Sequence, residues 1–253
     1  MNAEVSAALI IIGNEVLSGR TQDVNLQYIA RGLNGVGVRL REVRVIADDE
    51  AAIVEAVNTL RGRHAHVFTT GGIGPTHDDI TTDSIAKAFG VPVRRDPEAV
   101  ARLLRQIKPE SLNEARLRMA NIPDGARLID NPISHAPGYT IGNVHVLAGV
   151  PAIMRAMFDG ILPSLEGGRR ILSRSITLHV GEGAIAGGLG DIQRRHPEAE
   201  IGSYPFSRDG AFGTEIVARG TTAADLAAVI GEVASLARAT GARYEEDGGS
   251  ETS

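Results

Sequence analysis

The chain has 253 residues, 43% of them hydrophobic and 23% charged, a balance that builds a core and excludes a disordered chain. Its 26 basic and 31 acidic side chains leave a net charge of −5, which excludes a broad electrostatic grip on nucleic acid, and no stretch nears the ~18 apolar residues of a membrane span. Zero cysteines exclude disulfides, thiolate zinc sites and cysteine nucleophiles, and with no basic-then-apolar export signal at the N-terminus they point to a cytoplasmic protein.

Residues 8–12 (ALIII) form a short continuous apolar run, as a strand buried on both faces of a parallel sheet requires. It ends at Gly13, and Leu26, Ile29, Ala30 and Leu33 then mark a helix closed by Asn34-Gly35. Val38, Leu40, Val43 and Val45 predict a second strand over 38–46, with Asp48 and Asp49 at its end. Ile53, Ala56, Val57 and Leu60 recur at helical spacing, and a third strand centres on 66–69. After a glycine-rich turn, a helix is predicted over 82–89. Three strand–helix units in the first 90 residues predict an α/β protein with a doubly wound, mainly parallel sheet.

Further on, 96–120 is predicted helical with a break at Pro109, carrying Val100, Leu103, Leu104 and Ile107 on one face. Short strands are expected at 126–129 and 144–147, and a helix from Pro151 to about 162. Beyond Gly167-Gly168 the order becomes strand 171–180, helix 184–195, strands 200–204 and 212–219, and helix 223–239, a small C-terminal α+β module. The domain reading is therefore 1–166 for the α/β domain and 170–243 for the module, with 244–253 an acidic Gly/Ser-rich tail expected to be disordered.

The chemistry concentrates at Thr69-Thr70-Gly71-Gly72-Ile73-Gly74-Pro75-Thr76-His77-Asp78-Asp79, between a buried strand and a helix. Ligands of open α/β sheets bind outside the carboxyl ends of strands, so this turn is favoured by position alone. Its glycines let backbone N–H groups approach an anion, and the next helix offers its positive end. It is neither a Walker loop nor a Gly-x-Gly-x-x-Gly fingerprint. The plainer reading is a tight connection with Asp83 complementing the helix dipole. Asp48 ends the neighbouring strand, so it and Asp78-Asp79 can meet at one sheet edge. Acids beside a phosphate repel it unless a divalent cation such as Mg²⁺ lies between, bound by one or two carboxylates and phosphate oxygens. Alternatively, Asp48 and Asp49 simply begin a helix.

The segment Gly71-Gly72-Ile73-Gly74-Pro75-Thr76-x-Asp78-Asp79 resembles the signature of the molybdopterin-binding fold shared by molybdenum-cofactor biosynthesis proteins of MogA and MoaB type. Within that fold the chain most resembles the domain named for competence/damage-inducible protein A (CinA), and it is similar to the domain fused to eukaryotic FAD synthases. Gly13-x-Glu15-x-x-x-Gly19-x-x-x-Asp23-x-Asn25, Asp48-Asp49, Asn131-Pro132-x-x-x-Ala136-Pro137-Gly138 and Gly149-Val150-Pro151 support the likeness, as does Ile201-Gly202-Ser203-Tyr204-Pro205 in the module. The resemblance implies a ligand that is a nucleotide or a pterin. CinA-type domains are associated with metal-dependent hydrolysis of ADP-ribose-like diphosphates, the FAD-synthase domain with FAD hydrolysis, and molybdenum-cofactor members with pterin binding or adenylylation.

Carried over by position, the resemblance implies Asp48 and Asp79 as catalytic, and Asp48, Asp78 and Asp79 as ligands of Mg²⁺, Mn²⁺ or Co²⁺. Thr70, Gly71, Gly72, Gly74, Thr76, Glu15, Asn131, Gly138 and Gly149 would contact the ligand. A homo-oligomer is also implied. Two departures stand out: Ala148 replaces a proline, and Ser134 and His135 stand where Gly and Thr are common. The deamidase domain of longer CinA proteins has no counterpart here, so no amide hydrolysis is expected.

Other candidates carry plainer readings. Asn25 reads as a polar residue near a helix start unless the likeness is right, and His77 as a bystander. His64 and His66 lack a third ligand at metal spacing. His135 is a further candidate, and Ser203, Tyr204 and Ser207 lack a Gly-x-Ser-x-Gly elbow.

Overall fold

A computed structural model of the chain describes residues 4–208 and 211–246. It divides into a first unit, Met1–Gly168, and a second, Arg169–Ser253.

The first unit runs β1 (Val5–Ile12), α1 (Asn14–Leu17), α2 (Asn25–Gly35), β2 (Val38–Ile46), α3 (Glu50–Arg61), β3 (His66–Thr70), α4 (Thr81–Phe89), β4 (Val93–Arg95) and α5 (Pro97–Leu103). It continues through α6 (Glu114–Leu117), β5 (Asn121–Pro123), β6 (Arg127–Ile129), β7 (Gly138–Ile141), β8 (Val144–Leu147) and α7 (Pro151–Ile161). Six strands form one sheet in the order β2-β1-β3-β8-β7-β6. The pairs β1–β2, β1–β3 and β3–β8 are parallel, and β8–β7 and β7–β6 are antiparallel. The expected doubly wound, mainly parallel sheet is what the chain forms.

The apolar run of β1 follows from burial on both faces. Ala8, Ile10 and Ile12 join a core with Ile53, Val57 and Leu60 of α3 and Ile85 of α4. Ala7, Leu9 and Ile11 face Ile29 and Leu33 of α2 and Met154, Met157 and Phe158 of α7. The helix expected over 96–120 is shorter: α5 ends at Leu103, and Leu104 is exposed. Lys108 is extended before Pro109, as a residue preceding proline must be, so no helix crosses that point. Strand β7, over 138–141, follows the 131–137 segment directly and adds a strand between those expected at 126–129 and 144–147.

Two histidines meet inside this sheet. His66 Nδ1 lies 3.3 Å from His145 Nε2, and His66 Nε2 lies 3.0 Å from the Glu166 carbonyl oxygen. His145 Nδ1 is 3.0 Å from Thr140 Oγ1, and the Phe68 ring stacks on His145. Because the Glu166 carbonyl only accepts, His66 Nε2–H donates to it, His145 Nε2–H donates to His66, and Thr140 donates to His145. Burial above all, with neighbouring His66 and Arg127 adding to it, pushes the His145 pKa down to about 3. The unfolded chain binds that proton below about pH 6.5 and the native chain does not. Stability is therefore complete above that pH and falls as pH drops toward 3, by about 1.4 kcal/mol per unit from this group. Urea midpoints measured from pH 7 to pH 4 should fall less steeply in His145→Gln than in the parent; parallel slopes would refute this account.

The second unit runs β9 (Leu172–Leu178), α8 (Glu182–Arg195), β10 (Glu200–Arg208), β11 (Ala211–Gly220), α9 (Ala223–Ala239) and β12 (Tyr244–Glu246). An antiparallel sheet in the order β10-β11-β9-β12 packs Ile176, Leu178, Ile216 and Ala218 against apolar faces of α8 and α9. The tail expected from 244 onward begins as strand: Tyr244 pairs with Leu178 and packs on this core, covering the open edge of β9. Residues 247–253 of that expected tail lie outside the described residues.

Candidate functional site

The first unit's sheet changes winding direction at β1. Strand β2 is laid on one side of it and β3 on the other, so the loops leaving β1 and β3 diverge and leave a crevice at their carboxyl ends. That crevice is a cleft of about 500 Å³. Glu15 enters after β1, Asp48 after β2, Gly71, Gly72, Gly74, Asp78 and Asp79 after β3, and Gly149 after β8, with Asn131 on the far wall. Most ligand residues expected from sequence are thus brought to one place by topology.

Three are not. Thr70 lines a small adjoining cavity of about 60 Å³ shared with Glu15 and Asn25. Thr76 is spent inside its own turn, donating to Asp79 Oδ2 from N at 2.7 Å and from Oγ1 at 2.5 Å. Gly138 is buried where β7 crosses β8, and a Cβ there would lie 2.4 Å from the Val146 carbonyl oxygen. Its glycine serves strand packing.

The glycine turn is built by β1 and α4. Gly71 has φ +101°, and a Cβ on it would sit 2.2 Å from the Ile12 carbonyl oxygen. Gly72 has φ +68°, and its Cβ would sit 2.1 Å from Thr81 Oγ1. Thr81, the first residue of α4, donates from Oγ1 to the Gly71 carbonyl and from N to the Gly72 carbonyl, both at 3.0 Å. Conformation and packing therefore require glycine at 72, whereas the sequence reading attributed it to backbone approach by phosphate. Gly71 N–H donates to the Leu147 carbonyl, while those of Gly72, Ile73 and Gly74 find no acceptor among the described residues.

The adjacent acids Asp48 and Asp49 divide two roles. Asp49 caps α3, accepting from Ala52 N at 2.9 Å, as the plain reading requires. Asp48 instead lines the cleft, its Oδ2 accepting from Asn14 N at 2.9 Å. Asp79 folds back over Gly74, and Arg118 fastens the turn from outside, donating to the Thr76 and Asp79 carbonyls at 3.0 and 3.1 Å. Nothing local in the sequence marks Arg118, since its partners lie some forty positions away.

Among the described residues no three His, Asp or Glu side chains gather as a metal-holding group, so a divalent ion at Asp48, Asp78 and Asp79 would draw on few protein carboxylates and complete its shell with phosphate oxygens and water. Asp48 spends Oδ2 on the Asn14 N–H and Asp79 spends Oδ2 on the Thr76 N–H and hydroxyl, and each keeps Oδ1 without a hydrogen bond among those residues. This hard-oxygen donor set fits a divalent cation whose other ligands are phosphate oxygens and water.

Two asparagines hold the walls. Asn25, buried at the start of α2, donates to the Gly149 carbonyl at 2.8 Å. Asn131, 1% exposed, donates to Ser134 Oγ and the Ala136 carbonyl and accepts from the Ile133 and Ser134 N–H groups, so its polar atoms serve its own loop. Asn131→Ala is expected to cost about 2–4 kcal/mol in urea unfolding through these buried groups; an unchanged midpoint would refute that role.

The departures are local. Ala148 donates its N–H to Met157 Sδ at 3.5 Å, which proline lacks the hydrogen to do, and His135 takes a left-handed φ of 57° in the Asn131 loop. His77 is exposed and does not line the cleft, and His66 finds its partner in His145. Ser203 donates to Glu182 and Tyr204 accepts from Arg219, both within the second unit. No helix among the described residues is long and apolar enough to cross a membrane.

Comparison with known proteins agrees with the fold of the first unit. Residues 8–167 match the family described as "Probable molybdopterin binding domain", and residues 170–245 match "FAD synthase, middle domain". A protein of Archaeoglobus fulgidus is 34% identical over 197 residues, covering 78% of this chain and 84% of its own length. A CinA-like protein of Syntrophus aciditrophicus is 36% identical over 211 residues, 78% of this chain, which spans 50% of that relative. The crystal structure of the protein CinA, of unknown function, from Thermoplasma acidophilum superimposes with a TM-score of 0.59 at 35% identity, over 63% of this chain and 98% of that one.

Proposed function

The chain belongs to the CinA-type molybdopterin-binding-domain family, and from that premise we propose that it is a metal-dependent nucleotide pyrophosphatase, cleaving the diphosphate of an adenine-containing nucleotide of the ADP-ribose or FAD type. One observation carries the reading: Gly72, Ile73 and Gly74, whose N–H groups find no acceptor among the described residues, line the same cleft as Asp48, Asp78 and Asp79. Amides without acceptors suit phosphate oxygens, and acids in the same cleft suit a cation that neutralises them. The match of the second unit to the middle domain of FAD synthase supports a nucleotide ligand.

In this reading Asp48 and Asp79 would be the protein ligands of a divalent ion whose remaining ligands are phosphate oxygens and water, with Asp78 adding negative charge to the same cleft. When bound, the ion supplies charge neutralisation at phosphorus and lowers the pKa of water. The amides at 72–74 orient the diphosphate, and Asn25, Asn131 and Arg118 keep the surrounding loops in register. Water oxygen bonds to phosphorus, the bridging P–O bond breaks, and AMP and a second phosphate monoester result.

The family description favours a second reading, molybdopterin binding as a carrier or as an adenylyltransferase. One assay separates them: AMP release from ADP-ribose, FAD and NAD, each with Mg²⁺, Mn²⁺ or Co²⁺ and with a chelator. Chelator-sensitive AMP supports the pyrophosphatase. Its absence with every pair, beside tight pterin binding, refutes it.

A further inference from the structure

A second open cavity, of about 400 Å³, lies between the segment after α5 and the 131–136 loop. Met119, Ser134 and Ala136 line both it and the cleft, so the two volumes adjoin. Their charges are opposite. The ionisable side chains lining the cleft are Glu15, Asp48, Asp78 and Asp79, whereas those lining the annex are Lys108 and Arg116.

An acid-lined cleft admits an anion only with a cation beside it, while a basic annex attracts one directly. Arg116 is partly preset, its Nη1 donating to the Ser111 carbonyl at 2.7 Å and its backbone N–H to Asn113 Oδ1 at 3.0 Å. The rest of its guanidinium fork remains for a ligand, and a planar fork suits phosphate. At the threshold, Ser134 Oγ accepts from Asn131 at 2.6 Å, which leaves its O–H as a donor.

We propose that the annex is an anion subsite for a phosphate monoester that the nucleotide carries beyond its diphosphate, gripped by Lys108 and Arg116. This rests on the nucleotide reading of the cleft and narrows it to a class: nucleotides with a third phosphate on a ribose. Such a ligand spans both volumes, its diphosphate at the acid end and its monoester at the basic end.

Calorimetric titration with matched pairs tests it: ADP-ribose against ADP-ribose 2′-phosphate, and dephospho-coenzyme A against coenzyme A, each with Mg²⁺. A phosphorylated member is expected to bind at least about tenfold more tightly than its partner. Lys108→Gln with Arg116→Gln should erase that gap while leaving affinity for the unphosphorylated member unchanged, and Arg116→Lys should retain part of it. Both positions are exposed, so the variants should fold, which a melting curve checks. Equal affinity within both pairs, or a gap surviving in the double variant, overturns the subsite and leaves the nucleotide reading standing. Failure of all four ligands to bind overturns both.

Discussion

Asp79→Asn is expected to lower chelator-sensitive AMP release on the order of 10²–10³-fold while the melting temperature moves by only a few degrees. The asparagine carbonyl can still accept the Thr76 N–H that Asp79 Oδ2 now accepts at 2.7 Å. Arg118 grips backbone carbonyls, which the substitution leaves in place. What disappears is the negative charge, and with it the attraction for a divalent ion. Asp48→Asn should act alike, because Asp48 also keeps a carboxylate oxygen unspent. Asp49→Asn is the contrast: asparagine caps a helix as well as aspartate does, so α3 and activity should both persist. Full turnover in Asp79→Asn would remove this acid from the chemistry.

Gly72→Val should destabilise the first unit by about 2–5 kcal/mol, combining left-handed backbone strain with overpacking. A melting temperature lower by roughly 5–15 °C is the readout. The clash is specific, since a Cβ at 72 meets Thr81 Oγ1 at 2.1 Å, with Thr81 Cβ behind it at 3.2 Å. Adding Thr81→Ala should recover part of the loss, and the portion due to φ +68° should remain. A Gly72→Val protein that melts with the parent yet fails to bind nucleotide would return this glycine to the role of phosphate approach.

The contrast between Gly72 and Gly138 shows how far residue type can be read. Both belong to motifs that suggest ligand contact, yet Gly138 is buried against the Val146 carbonyl because β7 and β8 approach closely there. A glycine signals that some atom stands near, and only the fold says whether it is protein or ligand. Asn131 teaches the same point: its side chain could reach a ligand, but four contacts inside its own loop claim it. Arg118, Lys108 and Arg116 went unmarked because their meaning depends on loops distant in sequence.

From sequence alone came the alternation of apolar runs with helical stripes, and hence the α/β class and the buried parallel strands. That much is local, because a strand covered on both faces must be apolar throughout and a surface helix apolar at every third or fourth residue. The glycine-rich turn with its acids was legible too, since short motifs carry their own backbone requirements. Tertiary structure alone decided that the turns after β1, β2, β3 and β8 open on one cleft, through a reversal of strand order that no window of residues contains. It likewise paired His66 with His145, bent the 96–120 segment away from a helix and laid 244–246 along β9. Those outcomes depend on which surfaces remain to be covered once the sheet has formed, and that is a property of the whole chain.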